Sequence, residues 1–417
     1  MLLSPAQTQV VEHRGSDLQV IACAGSGKTE SIARRVASLI GEGVEPSAIV
    51  AFTFTDRAAT ELRERITRRV TERMGRAFAD RLSPMFVGTI HAYCFRILQD
   101  HVPKYGNYDV LDEHRHAGFL SREHRRIGLG RIRARHWAPI RDFLRTVDVI
   151  ANECIPREAL AGTPVGECYG AYRDSLDRHH FLTFGLLIGC ALEALDDADI
   201  QARVHAPLRH LLVDEYQDIN PAQERLIQLL AKPPVQLTVV GDDDQAIYQW
   251  RGSDVRNILT FDQRRQGSAR ATLDNNRRSR PAIVAAANAF ARSIPQRIEK
   301  QMVPARPPGA HEVVLWSAPT DRDEADLVAD AIVRLRSAGY AYRDIAVLYR
   351  SVPPPRRSSR RCGPATSRTP ARGARVCSCS PRWPSSRKST PGSWTATGAT
   401  NRSASSAAQT WIASSAA

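Results

Sequence analysis

Gly25-Ser26-Gly27-Lys28-Thr29 stands between an apolar run at residues 18–22 and an amphipathic stretch at residues 30–40. No other feature of the chain narrows its fold as much. The spacing predicts a buried strand on one side and a helix on the other. Between them, small residues let backbone N–H groups wrap an anion at a helix N-terminus, where the helix dipole adds its attraction. Ala24, Gly25, Ser26 and Gly27 supply that cradle, Lys28 reaches the outer phosphates, and the Thr29 hydroxyl holds Mg²⁺. Ala22 stands where the general pattern has its first glycine, one small residue for another. A glycine turn that only caps a helix is the plainer alternative, and the flanking strand and helix weigh against it.

Four further apolar runs, at 48–53, 85–88, 211–213 and 237–240, precede turns rich in polar residues. Strands alternating with helices predict an α/β fold on a parallel sheet, in which ligands collect at the carboxyl ends of the strands. The run at 211–213 ends in Asp214 and Glu215. Asp214 is placed to hold Mg²⁺, directly or through water, and Glu215 to orient and deprotonate an attacking water. Two acids after a strand mean little alone. Combined with the phosphate loop they form the second half of one site.

Composition excludes more than it identifies. The net charge of +14 invites a nucleic-acid reading, but residues 352–417 hold 11 Lys+Arg and no Asp or Glu, so the rest is near balance. Binding to nucleic acid has to rest on motifs. None of the eight cysteines forms a zinc-ligand spacing, and Cys377 and Cys379 are too close for a metal clip. Reduced thiols are expected. No signal peptide opens the chain and no apolar run approaches the length of a membrane span, so a soluble, cytoplasmic protein is expected. The longest apolar run, 181–195, reads as a buried helix.

Residues 103–206 are rich in Arg and His and poor in β-branched runs, which predicts a helical insertion within the first α/β unit, with helix-like spacing at 140–149. A second α/β unit is expected from 271, with a helix at 323–337 that buries Ala325, Val328, Ala329, Ile332 and Val333 and stops at Gly339, then a strand at 345–349. Residues 352–417 lack periodicity; a disordered basic tail and out-of-frame translation both fit.

Spelling adds to pattern at Asp214-Glu215-Tyr216-Gln217-Asp218 and at residues 241–252, GDDDQAIYQWRG. With these the chain resembles the UvrD/Rep/PcrA family of superfamily 1A DNA helicases over residues 3–351. Residues 3–7 resemble the family's Q motif, 51–59 and 88–92 its motifs Ia and Ib, and 273–279 its motif IV. The resemblance implies a RecA-like P-loop NTPase domain (1–102 plus 207–270), a helical insertion (103–206) and an incomplete second RecA-like domain (271–351). It implies ATP and Mg²⁺ as cofactors, single-stranded DNA and its junctions with duplex as partners, and 3′→5′ unwinding as the activity. Gln7 would then read adenine, Gln245 sense the terminal phosphate and Arg278 act as an arginine finger. Thr53, Thr55, Thr89 and His91 would touch DNA phosphates, while Tyr248 and Trp250 stack on bases.

The chain also departs from the family pattern. Ile90 stands where many relatives carry a stacking Phe, and Arg277 replaces an aromatic at the adenine face. Glu30 replaces a common Arg, so Glu30 and Arg277 are expected to have exchanged charge and to pair beside the nucleotide. Motifs V and VI are not found after 351, which reads as a truncated motor. Two alternatives remain: a non-catalytic fragment that binds ATP and DNA, and a motor subunit completed by a partner.

Overall fold

The computed structural model describes residues 3–132, 139–309 and 313–349, together with the strand Trp411–Ser414. Two compact units divide it, Met1–Glu312 and Val313–Ala417.

The first unit is built on six strands: β1 (Leu18–Ala22), β2 (Ile49–Thr53), β3 (Phe86–Thr89), β6 (His210–Val213), β7 (Gln236–Gly241) and β8 (Ala269–Leu273). They lie in the order β3-β2-β6-β7-β1-β8, and every pairing is parallel. β4 (Asp109–Leu111) and β5 (Phe181–Thr183) form a separate parallel pair, and β9 (Asn275–Asn276) pairs with β10 (Val303–Pro304). A parallel sheet is covered on both faces, which is why its strands read as unbroken apolar runs. The alternation is visible in the core: Leu18, Val20 and Ala22 pack to one side with Ile32, Val36 and Leu62, whereas Ile21, Val50 and Phe52 pack to the other with Ile90 and Leu98.

The helix Lys28–Gly41 buries Ile32, Val36, Leu39 and Ile40, a helical stripe facing the sheet. Its Arg35 is also buried and donates to the Val10 and His13 carbonyls at 2.8 and 2.7 Å, caps on the end of the first helix, Pro5–Glu12. Burial pushes this guanidinium down to about 10. The expected domain boundary, 270/271, falls within β8, which is the sixth strand of the first sheet, paired along β1 from Leu18↔Ala269 to Ala22↔Leu273.

Between β3 and β6 the chain is mostly helical: Glu113–Ile127, Pro139–Asn152, Pro164–Arg178, Phe184–Leu195 and Ala198–His205 follow one another. These helices share their core with one face of the sheet. The predicted helix at 181–195 begins three residues late. Phe181–Thr183 pairs with β4 instead, and the Thr183 hydroxyl lies 3.3 Å from Tyr172 Oη, itself 2.8 Å from His116 Nε2. Aromatic and β-branched residues suit such a short strand. No helix among the described residues is long and apolar enough to cross a membrane.

In the second unit, the helix Asp321–Ser337 is capped by Thr320 and followed by Gly339 at φ +97°, and β11 (Ile345–Leu348) pairs antiparallel with β12 (Trp411–Ser414). The expected apolar face is rotated: Ala331 is buried, whereas Ala325 and Val333 are exposed. The remainder of 352–417, with its two readings, lies outside the described residues.

Candidate functional site

The polar motifs meet because all six strands point their carboxyl ends the same way. Cys23 leaves β1 with its N–H on Leu273 O at 2.9 Å, and the loop turns through Gly25 and Gly27, at φ +70° and +88°. A Cβ at Gly25 would sit 2.8 Å from Arg278 Cβ and from Asn276 Oδ1; one at Gly27 would sit 2.8 Å from Gln7 Nε2. Both positions therefore require glycine for conformation and for space. Gly27 caps the following helix without any side chain, so its first-turn N–H groups keep the anion-binding character of a helix N-terminus. Ser26 Oγ is buried and has no hydrogen-bond partner. A loop with an orphaned hydroxyl, two obligatory glycines and an uncapped helix start fits a bound phosphate.

Lys28 Nζ lies 3.0 Å from Glu215 Oε2, across from the loop. Glu215 is one of three non-glycine residues at positive φ (53°) among the described residues, a strained backbone held at the turn after β6. Burial and the neighbouring Glu215 push the Asp214 carboxyl up to about 7, with Lys28 opposing. Asp218 rises to about 6 for the same two reasons. No cluster of three or more His, Cys, Asp or Glu among the described residues is suited to a metal. Thr29 and Asp214 alone would leave most of an octahedral Mg²⁺ shell to phosphate oxygens and water, as such ions prefer.

Gln217 was quoted in the sequence motif without a role, and it connects the parts. Its amide nitrogen donates to Glu215 Oε2 at 2.9 Å and Asp218 Oδ2 at 3.2 Å, and its oxygen accepts from the Asp242 N–H at 3.0 Å. A Cβ at Gly241 would meet that oxygen at 2.6 Å, so glycine admits the bridge. Gln245 Nε2 donates to Asp242 Oδ2 at 2.5 Å. The Gln7 carboxamide is occupied on both sides: Oε1 accepts from Ser4 N at 3.1 Å and Nε2 donates to Ser26 O at 3.1 Å. Gln7 thereby braces the phosphate loop. Arg277 donates its N–H to Gly25 O at 3.0 Å, and Arg278 is exposed beside Gly25.

The expected Glu30–Arg277 pair is not formed. Glu30 Oε1 accepts from Arg34 Nε and Arg69, both at 2.6 Å. Arg34 follows one turn later and Arg69 arrives on the helix Asp56–Met74, so the carboxylate is neutralised from the flank of its own helix.

A second concavity, about 930 Å³, opens at the ends of β2, β3 and β6 and continues to the insertion helices. Thr53, Thr55, Thr89, His91, Tyr248 and Trp250 all line it. Thr55 and Thr89 are N-caps, accepting from Ala58 N at 3.1 Å and Ala92 N at 3.3 Å, so each hydroxyl keeps its own proton to donate. Thr53 has spent its proton on Thr55 O at 3.1 Å and props the cap. Burial lowers the His91 pKa against the pull of Asp56, leaving a neutral ring. Tyr248 stacks on Phe54 at 4.9 Å, and Trp250, 74% exposed, carries Arg251 over its face at 4.8 Å. Ile90 is buried in the core and offers no base platform; Phe184, 54% exposed and edge-on to His91 at 5.9 Å, offers one from the insertion. Neither Phe184 nor Phe54 was singled out from sequence, because what marks them is the groove they share with residues far along the chain.

An uncapped glycine loop facing an acid pair on a parallel sheet, with an aromatic groove at the same strand ends, defines a P-loop nucleotide-binding protein. Residues 3–266 match the UvrD/REP helicase N-terminal domain and residues 271–354 the UvrD-like helicase C-terminal domain. The chain belongs to the UvrD/REP helicase family. It is 35% identical over 379 residues to the ATP-dependent DNA helicase UvrD1 of Mycobacterium leprae (strain TN), covering 84% of this chain and 47% of that protein. The ATP-dependent DNA helicases PcrA of Leuconostoc citreum and of Staphylococcus aureus (strain Mu50 / ATCC 700699) are 33% and 30% identical over 358 and 361 residues. They cover 83% and 84% of this chain and 46% and 48% of those proteins. The chain thus spans about half the length of the curated relatives it matches.

Proposed function

We propose that this chain carries the nucleotide-hydrolysing and strand-gripping part of an ATP-dependent DNA helicase that moves 3′→5′ on single-stranded DNA. One observation carries the reading. The end of β6 serves both sites: Asp214 and Asp218 border the groove, while Glu215, between them, meets Lys28 of the phosphate loop.

A triphosphate seated in the loop takes Lys28 from Glu215, because several phosphate oxygens outbid one carboxylate for the ammonium. Glu215 is then free to accept a proton from an in-line water, and Gln217 keeps its carboxylate oriented through the 2.9 Å contact. Thr29 and Asp214 would hold Mg²⁺, which neutralises charge on the outer phosphates when bound. The family resemblance gives Gln245 the sensing of the terminal phosphate, and Arg278, exposed beside Gly25, the stabilising of the leaving charge. The Asp242–Gln217–Glu215 chain links hydrolysis to the segment that bears Tyr248 and Trp250.

The groove suits single strands. Aromatic faces stack on any base, and capping hydroxyls position phosphates without reading sequence. Polarity and unwinding are proposed from the family resemblance alone. They are tested by ATP-driven displacement of streptavidin from oligonucleotides biotinylated at one end. Displacement from the 5′ end only is expected; displacement from the 3′ end only reverses the assignment, and none in either case with intact nucleotide binding favours the non-catalytic alternative.

A further inference from the structure

Lys300 lies 57 residues beyond Asp243 in the acidic run that it contacts, in a stretch with no recognisable motif. Its side chain is 1% exposed, and its ammonium meets Asp242 Oδ1 at 3.2 Å, Asp243 Oδ1 at 2.5 Å and Asp244 Oδ2 at 3.0 Å. Three carboxylates thus surround the ammonium as ion pairs, with Asp243 also accepting a hydrogen bond from it. The same segment ties itself down twice more. Arg297 forks onto both oxygens of Asp244 at 2.8 Å, and the Ile298 N–H donates to Asp243 Oδ2 at 2.7 Å.

The cage is next to the phosphate loop. Burial pushes the Cys23 thiol up to about 12, and Asp242, Lys300 and Asp244 all act on it electrostatically. Asp242 divides its oxygens: Oδ1 takes Lys300 and the Asp244 N–H, while Oδ2 takes the Gln245 amide. We propose that Lys300 is a positioning residue for terminal-phosphate recognition, holding Asp242 aimed so that Gln245 presents a fixed face to the nucleotide. The proposal rests on the nucleotide-hydrolysing reading above.

The chemistry is that of an amide with two ends. While Asp242 is a carboxylate it can only accept, so the Gln245 –NH₂ is turned toward it. The second amide proton and the oxygen then stay in register for phosphate and water. Without Lys300, Asp242, Asp243 and Asp244 stay close together with Arg297 still paired to Asp244, and Asp242 loses the ion pair on its Oδ1. Asp242 is then free to turn, and the Gln245 amide can flip with it. The added negative charge also opposes the third phosphate more than the second.

The test is a titration of the whole chain with a fluorescent diphosphate and with a non-hydrolysable fluorescent triphosphate. Wild type, Lys300→Met, the charge-balanced Lys300→Met/Asp243→Asn pair and Arg297→Gln are compared, with melting temperature recorded for each. Loss of one charge-assisted contact predicts that triphosphate affinity falls about tenfold in Lys300→Met while diphosphate affinity holds within about twofold. The double variant is expected to regain melting temperature but not the triphosphate preference. Arg297→Gln is expected to lose melting temperature and keep the preference. A double variant that regains both, or an Arg297→Gln that loses as much preference as Lys300→Met, would make Lys300 a structural counterion and overturn the proposal. Wild type that binds neither nucleotide would instead remove the nucleotide reading itself, and this inference with it.

Discussion

Lys28 and Glu215 hold each other at 3.0 Å while each is needed elsewhere, which is how a site waits for substrate. Removing the ammonium strips the site of its phosphate counter-charge. Lys28→Ala is expected to lower ATP turnover by roughly 10²-fold or more, the range for deleting one transition-state contact. Retained turnover in a steady-state assay would move catalysis away from this loop. Asp214 gives a prediction about pH. Its carboxyl stands at about 7 in the fold against 3.8 ordinarily, so the folded chain holds a proton that the unfolded chain releases. That contribution to stability is fully present below pH 3.8 and is lost as pH rises through about 7. The nucleotide-free melting temperature should therefore fall more steeply between pH 5.5 and 8 in wild type than in Asp214→Asn, with the variant the more stable at pH 8. Parallel curves would show that Asp214 is ionised throughout. If Asp214 holds Mg²⁺ as proposed, the ion needs the carboxylate, and its affinity should rise over the same interval.

Helix starts and strand ends carry the groove. Thr55 caps the helix Asp56–Met74 and faces the groove at once. Thr55→Val should cost about 1 kcal/mol in unfolding free energy through the lost cap. It should also weaken single-stranded DNA binding severalfold in a fluorescence titration; a stability loss with unchanged DNA affinity would confine Thr55 to capping. Phe184→Ala and Trp250→Ala, both well exposed, should each cost about 1–3 kcal/mol of DNA binding, the usual worth of a stacked base. The five strands ending at the motifs were legible because parallel sheets bury both faces and leave unbroken apolar runs. β8 was not, since Arg270 and Thr272 interrupt its pattern, and β4 and β5 are too short to show a period. The site was legible wherever its chemistry lies in one consecutive run, as in 25–29 and 214–218. It was illegible where residues distant in sequence meet, as with Phe184 at the groove and Arg297 and Lys300 at the acidic run. The expected Glu30–Arg277 pair failed for that reason too: nothing in the sequence says that Arg69 is delivered to Glu30.

Across the first unit, the parallel sheet places the phosphate loop and the groove at the carboxyl ends of its strands and lets the end of β6 border both. Gln217 joins Glu215 to Asp242, and Gln245, Tyr248 and Trp250 follow within a few residues. On the proposed reading, such a connection would make occupancy of the groove a condition on hydrolysis. The direct measurement is steady-state ATP hydrolysis by the chain with and without single-stranded DNA, in wild type and Trp250→Ala. Stimulation by DNA that is reduced in Trp250→Ala, with basal turnover unchanged, is the predicted result. Turnover indifferent to DNA at saturating occupancy of the groove would contradict the account.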